Sequence, residues 1–283
     1  PSDITWFNVR KQLGPVDFQR IGLAFADNVL SFALDVSLKL GPAVLNMQGL
    51  TVGSPLDRFE PVMGIQGFFM DLKTGSFELG GGFLKSLSPD GATAYYGAVM
   101  IQCGPFGLKA LGGDTPAHEA DDPDDPGHKI GVPASFFLYA NVELPLGGPP
   151  FFYIKGFAGG FGINNLLVLP TLQELPGYIL LPGSKAPKQG KTAEETIRQV
   201  LPQLQKYFIP QPGQYWMAAG ISFSSFEMIN AFAVATVSFG VDLRVALLGS
   251  CSMSFPKGMS HPIAYVEIAI MAVFSEKDGF FAV

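Results

Sequence analysis

The sequence predicts a mainly β protein: a meander of antiparallel hairpins that forms one large twisted sheet, a sandwich or a half-barrel. Along most of the 283 residues the side chains alternate with period two, the pattern of strands with one buried face. Turn signals recur about every ten residues, which is typical of hairpins and not of βαβ units. The chain also uses 25 Phe and 34 Gly, which suit pleated surfaces, turns and close backbone contacts.

Short turn sequences separate the predicted strands in the first third of the chain. "RIGLAF" and "VLSFALDVSLKL" flank Asp27 and Asn28, and Gly41-Pro42 precedes "AVLNMQGLTV". Two more hairpins follow: "MGIQGFFMDL" with "SFELGGGFL" around Thr74-Gly75, and "TAYYGAVMIQ" with "FGLKALG" around Gly104-Pro105. Each pair predicts two antiparallel strands joined by a tight turn.

Residues 229–248 show the alternation over twenty residues. One set of alternate positions is apolar, from Ile229 to Leu247, and the other mixes Phe232 and Val234 with polar residues. Because this run is too long for one ordinary strand, Gly240 and Asp242 predict a turn and a second hairpin.

One helical segment is predicted around residues 192–208, inside a helical insertion at 181–213. Thr192 and Glu195 form the capping-box pattern, and an apolar face follows at Ile197, Val200, Leu201, Leu204 and Phe208. Pro202 predicts a kink or a split, and Pro210 and Pro212 predict the end of the helix. We expect this helix to plug or cap the end of the sheet, with a functional lid as the alternative.

Residues 112–131 predict an acidic loop insertion, and its carboxylates raise the alternative of a cation site at 114–128. The spacing lacks the glycine and glutamate of an EF-hand, and His118 and His128 do not have the spacing of a helical metal pair. A solvated surface loop is the expected structure, and no metal-ligating residue is assigned.

The stretch "PPFFYIKGFAGGFGINN" at 149–165 is the most glycine-rich motif. A dinucleotide fingerprint read from Gly160 needs a glycine where Asn165 stands, and no Gly-Lys-Ser/Thr ends the stretch as in a phosphate loop. The pattern instead predicts a strand whose small face, from Gly156 to Gly162, lets a helix, an opposing strand or an apolar ligand approach.

Charge excludes nucleic acid as a partner. The formal net charge is −6, and six of the 24 acidic residues crowd the acidic loop: Asp114, Glu119, Asp121, Asp122, Asp124 and Asp125. The remaining 18 acidic residues balance the 18 basic ones, so no basic surface supports binding to phosphates.

The two cysteines, Cys103 and Cys251, form neither a disulfide framework nor a CxxC motif. We expect buried free thiols, which slightly favours a reducing compartment, and a single disulfide stays open. No signal peptide is recognised, and no apolar stretch reaches the roughly 20 residues of a membrane helix. The first and last residues lead us to expect a fragment of a longer protein.

The remaining candidate groups do not form a known catalytic pattern. His261 is the third histidine, but no G-x-S-x-G elbow accompanies it. Glu227 lies in an uncharged stretch, so we expect an outward or paired glutamate, with Arg20, Arg58 or Arg244 as partners. Trp6 and Trp216 are interpreted as core or rim aromatics. No catalytic or cofactor-binding residue is assigned.

Several segments resemble a known family. They are "WFNVRKQLGPVDFQRIGLAF" (6–25), "VGSPLDRF" (52–59), "PLGGPPFFYIKGFAGGFGINN" (145–165), "PGQYWMAAGISFSSFE" (212–227) and "HPIAYVEIAI" (261–270). In this order they resemble the large β-rich bacterial and fungal proteins of domain-of-unknown-function family 6603. The resemblance implies a β fold and a fragment of a longer chain, and it implies no activity.

Three functions follow as hypotheses. The first is a non-enzymatic β scaffold or binding module, with an apolar groove or a partner surface. Its partners would be an apolar small molecule or lipid, other proteins, or the rest of a longer chain. The alternatives are a membrane-inserted β-barrel or pore and a metal-dependent enzyme that uses the acidic loop.

Overall fold

The structure is a computed structural model that describes residues 4–26, 28–58, 60–88, 91–122, 125, 127–181, 192–226, 228–255, 264–276 and 279–282. The described strands are β1 (Thr5–Leu13), β2 (Val16–Ala26), β3 (Val29–Leu40), β4 (Ala43–Pro55), β5 (Val62–Gly64), β6 (Gly67–Thr74), β7 (Phe77–Leu87), β8 (Thr93–Cys103), β9 (Phe106–Thr115), β10 (His118–Asp121), β11 (Lys129–Val132), β12 (Ser135–Gly147), β13 (Tyr153–Leu167), β14 (Phe208–Ser225), β15 (Ile229–Phe239), β16 (Arg244–Phe255), β17 (Ala264–Ser275) and β18 (Gly279–Ala282). One α-helix, α1 (Ala193–Tyr207), lies between β13 and β14.

The strands form one antiparallel meander, as the hairpin spacing predicts. Apart from β5, neighbours along the chain are neighbours in the sheet from β1 to β9, and again from β12 to β18, with β9 paired to β12. The short strand β5 pairs with β4 beside β6. Within the described residues, β1 pairs only with β2 and β18 only with β17, so the sheet is open. Of the predicted architectures, the open sheet is the observed one.

The sheet has two faces of different character. Residues directly opposite each other on paired strands share a face, so the register follows each face from strand to strand. We call the face that carries Phe69, Tyr139 and Trp216 the covered face, and the opposite face the open face. The core lies on the covered face, beneath α1 and the segment 168–181.

Helix α1 begins as the sequence predicts. Thr192 and Glu195 complete the capping box, and Ile197, Val200 and Leu204 are buried against the sheet. The helix is not split at Pro202, and it ends at Tyr207 before either later proline.

Beyond the helix, the chain enters β14 at once. Pro210 and Pro212 therefore lie in a strand and not in a helix end, which shortens the helical part of the predicted insertion 181–213. Pro210 pairs only with β13, and Pro212 lies in a register shift where neither neighbouring strand pairs with it, because pairing with β15 begins at Tyr215. An edge position of this kind tolerates proline, since no ladder hydrogen bond is lost.

The predicted acidic loop at 112–131 contains more regular structure than expected. Residues 112–115 belong to β9, while β10 and β11 form a separate two-stranded hairpin. The loop proper is the turn between these two short strands, and Pro123, Asp124 and Pro126 in it lie outside the described residues.

Candidate functional site

The open face is almost free of charge. Among the paired positions of the described main sheet, only Lys11, Lys85 and Asp114 place a charged residue there. The other paired charged residues are on the covered face: Asp17, Arg20, Asp35, Lys39, Asp71, Lys73, Glu78, Lys109, Glu143, Arg244 and Glu267. The two faces therefore differ in charge as well as in whether other parts of the chain cover them.

Large apolar side chains are exposed across the open face. Phe25 is 61% exposed, Phe32 57% and Met217 55%, and β17 adds Ile268 and Ile270, each more than half exposed. Soluble monomers rarely expose contiguous apolar areas beyond a few hundred Å². These exposed apolar side chains make the open face a candidate interaction surface.

The side chains of the open face also differ in size from row to row. One row of directly opposed positions across nine strands is mostly small: Gly81, Val99, Ala110, Ala140, Gly159, Ala219, Ala235, Leu247 and Ala272. The next row to one side is bulkier over most of its length: Phe83, Gly97, Gly112, Leu138, Phe161, Met217, Val237, Val245 and Phe274. We call the first row the small row and the second row the ridge.

The glycine-rich stretch at 149–165 forms β13, as predicted, and its small face lies on the covered side. Of the predicted neighbours, flanking strands are the ones observed: backbone atoms of β12 approach Gly156, and side chains approach Gly160 and Gly162. A methyl group at Gly160 would lie 2.8 Å from the Tyr139 ring, and one at Gly162 would overlap the Trp216 indole. Lys155 departs from the predicted alternation, because the register shifts there and its Nζ donates to Asn230 on the covered face, 2.7 Å away.

A cavity of about 520 Å³ lies on the covered face, between the sheet and helix α1. Helix α1 contributes Ala193, Thr196 and Val200 to its wall, at the three- and four-residue spacing of one helical face. Strands β4, β6 to β9 and β12, together with residues 179–181, complete the lining. Cavities of this size between a sheet and a helix are typical of small-molecule sites.

Asp71, on β6, lies beside the start of the helix. Its Oδ1 accepts a hydrogen bond from the backbone N–H of Ala193, at 2.9 Å. Burial raises the pKa of Asp71 above its ordinary value, and the nearby Glu78 and Glu195 carboxylates raise it further, while the Ala193 hydrogen bond lowers it. The carboxylate is therefore held in a partly desolvated site that lacks a compensating cation among the described residues.

The other walls of the cavity are fixed by buried hydrogen bonds. The Tyr139 hydroxyl donates to the Leu180 carbonyl oxygen at 2.8 Å, which ties segment 168–181 to β12. Burial raises the pKa of Tyr139, so this hydroxyl stays protonated as a donor. Tyr178 is fully buried and packs edge-on against Tyr207.

The remaining sequence candidates are not brought together. His118 lies on β10, where its Nδ1 is 3.1 Å from the Pro116 carbonyl oxygen, and His128 lies beyond the turn. In the described part of the chain, no three His, Cys, Asp or Glu side chains are placed to hold a metal ion. Glu227 and His261 lie outside the described residues.

The three arginines considered as partners of Glu227 have other partners. Arg20 pairs with Asp35, Arg58 with Glu60, and Arg244 with Asp242. Trp216 is fully buried, whereas Trp6 is partly exposed with the Arg20 guanidinium 4.6 Å from its ring centre.

Cys103 and Cys251 are both free thiols, and Cys103 is exposed instead of buried as expected. Among the described residues, no helix combines the length and the apolar character needed to cross a membrane. Neither observation adds a residue to the two candidate sites, which are the open face and the cavity.

The fold and these two sites define an open, single-sheet antiparallel β protein with one covered and one uncovered face. The family of unknown function DUF6603 matches residues 9–283, nearly the whole chain, and the protein belongs to this family. A search of curated proteins found no match.

Proposed function

We propose that the protein is a non-enzymatic β-sheet scaffold that binds a second copy of itself through the open face. The observation that carries this proposal is the nearly uncharged, exposed apolar surface of the sheet. A covered sheet face forms a core, and an uncovered apolar face gains stability when another surface removes it from water.

The exposed area has the scale of an obligate interface. The accessible surface is 15988 Å² for a mass of 30.3 kDa. A compact monomer of this mass exposes about 11,800 Å², so the excess is about 4,200 Å². Obligate homodimers bury about 2,000 to 5,000 Å² in total, which is about 1,000 to 2,500 Å² of each copy. The excess of one chain is therefore large enough for such an interface. A single bound small molecule would cover only a minor part of this excess.

A second copy fits the face in charge and in shape. Two identical open faces meet without opposing like charges over most of their area, because among the paired positions of the described sheet only Lys11, Lys85 and Asp114 are charged there. Packed sheets lie about 10 Å apart with interdigitating side chains. In a two-fold arrangement, the ridge of each copy can fill the small row of the other.

An anionic membrane surface fits less well. Peripheral membrane binding combines buried apolar side chains with several Lys or Arg residues that meet the headgroups. The open face offers two lysines and one aspartate at its paired positions, and the whole chain carries a net charge of −6. The pore and the metal-dependent enzyme stay predictions without a specific observation in their favour.

Light scattering coupled to size-exclusion chromatography tests the proposal on detergent-free protein over a hundred-fold concentration range. We expect a dimer, with twice the mass of the chain. Phe161→Glu places a charge in the ridge and should shift the protein to monomer, with an unchanged far-UV circular dichroism spectrum. Leu172→Glu is the control, since Leu172 is 39% exposed in the segment that lies on the covered face.

A soluble monomer at every concentration would overturn the proposal. Mass spectrometry of solvent extracts and flotation with phosphatidylcholine vesicles would then identify the occupant. Stoichiometric lipid, or protein that floats with the vesicles, would make the open face a lipid-binding surface.

A further inference from the structure

The cavity beneath α1 contains a buried hydroxyl without a hydrogen-bond partner. Thr196 lines the cavity and is 7% exposed, and its Oγ1 has no partner among the described residues. Buried polar side-chain atoms in native proteins are nearly always hydrogen-bonded to protein or to an ordered polar molecule. An unpaired hydroxyl in a cavity wall therefore points to a bound molecule with a polar group.

The ion pairs around the cavity leave one carboxylate uncompensated. Lys73 pairs with Glu78 at 3.4 Å, and Lys109 pairs with Glu143 at 3.2 Å. Asp71 forms no ion pair in the described part of the chain, and only the Ala193 N–H binds its Oδ1. A partly buried carboxylate is favoured by a nearby cation.

The rest of the lining is mainly apolar. Val200 and Leu180 are buried on the helix side, and Ala98 and Leu111 lie on the sheet side. Gly80, opposite Asp71, leaves space beside the carboxylate, since a methyl group there would lie 3.4 Å from the Asp71 Oδ1. A molecule in this cavity therefore meets apolar walls over most of its surface and polar groups at one end.

We propose that the cavity binds a small molecule with an apolar body and a protonated amine. The ammonium group donates hydrogen bonds to the Asp71 carboxylate and to the Thr196 Oγ1, and the apolar body packs against Ala98, Leu111 and Val200. An ammonium has three donors and no acceptor, so it matches a carboxylate and a hydroxyl oxygen together. This site lies on the covered face and does not depend on what occupies the open face.

Isothermal titration calorimetry with three probes of equal length tests the proposal. Decylamine, decanol and decanoate share one apolar chain and differ in head-group charge, and all are used below the concentration at which they aggregate. At pH 7 we expect decylamine to bind one-to-one and at least ten-fold more tightly than decanol. Decanoate should bind more weakly than either, because its charge repels the Asp71 carboxylate.

Two variants separate the cavity from other apolar surfaces. Asp71→Asn keeps an oxygen for the Ala193 N–H, and it should remove the preference for decylamine over decanol. Thr196→Val keeps the side-chain shape and removes the unpaired hydroxyl, so it should preserve the fold and weaken decylamine about five-fold. Glu60→Gln is the control, since Glu60 lies outside the cavity in an exposed ion pair with Arg58.

The proposal fails if the three probes bind equally, or if decanoate binds most tightly. It also fails if Asp71→Asn and Thr196→Val bind decylamine as the wild type does. Binding of several molecules per chain with no dependence on head group would assign the probes to the open face instead.

Discussion

Gly162→Ala tests whether the glycines of β13 make room for buried aromatic rings. A methyl group at Gly162 would lie 2.6 Å from the Cε2 atom of Trp216, closer than real contacts of this kind. Trp216 is fully buried, and its Nε1 donates to the Asn165 Oδ1 at 3.0 Å. The indole can move away from the methyl group only at the expense of this hydrogen bond or of its packing against Phe208.

The magnitude follows from these contacts. Overpacking a tight core site costs about 1 to 3 kcal/mol, and weakening one buried hydrogen bond costs about 1 kcal/mol. Replacing glycine by alanine in a strand returns about 0.5 to 1 kcal/mol. We therefore expect a net loss of about 1 to 3.5 kcal/mol in the free energy of unfolding, or about 2 to 6 °C in Tm for a chain of this size.

Thermal and urea unfolding followed by far-UV circular dichroism measures the effect, at one protein concentration. Gly159→Ala is the matched control in the same strand, because its methyl group would meet nothing closer than the Ala218 carbonyl oxygen at 3.7 Å. The control should be neutral or slightly stabilising. Equal stability of the two variants would refute the reasoning. Combining Gly162→Ala with Trp216→Phe should cost less than the sum of the single changes.

Three further predictions concern buried or paired groups. Asp35 is 2% exposed and accepts the Gly49 N–H at 2.7 Å, so Asp35→Ala should leave this buried N–H unpaired and cost about 2 kcal/mol in urea unfolding; a loss below about 0.5 kcal/mol would contradict this. The hydrogen bond from Lys206 lowers the pKa of Glu174 to about 2 from 4.5, so the stability it contributes is present above 4.5 and lost as the pH falls through about 2. Lys206→Met should raise that pKa in an NMR carboxyl titration, and an unchanged value would exclude the pairing. Tyr139→Phe should lower the free energy of unfolding by about 1 to 2 kcal/mol and speed amide hydrogen exchange at residues 179–181. Exchange in the variant at the wild-type rate would disprove this.

Local sequence determined the elements of this protein. The capping box at Thr192 begins the helix because two side chains satisfy free backbone N–H groups within one turn. The hairpins follow because Gly104 and Gly75 adopt the positive φ angles that their turns need. These signals involve residues close along the chain, so no tertiary contact is required to interpret them.

The ends of these elements depended on their neighbours. Pro210 and Pro212 predict the end of a helix, but they lie in β14, where Pro210 pairs on one side only and Pro212 has no paired residue in either neighbouring strand. The acidic segment forms a hairpin at β10 and β11 where composition predicts a solvated loop. Whether a proline or an acidic residue fits a strand depends on which partner strand lies beside it.

The tertiary structure decided which face is buried. In β15 the face with Thr236 and Ser238 is covered, while the fully apolar face, with Ala235 and Val237, belongs to the open side. Period-two alternation separates the two faces, but it does not indicate where α1 and residues 168–181 will pack. That choice depends on contacts between residues far apart in the chain, such as Tyr139 with Leu180 and Asp71 with Ala193. The same contacts form the cavity and leave the opposite face uncovered, so neither candidate site could be located from sequence alone.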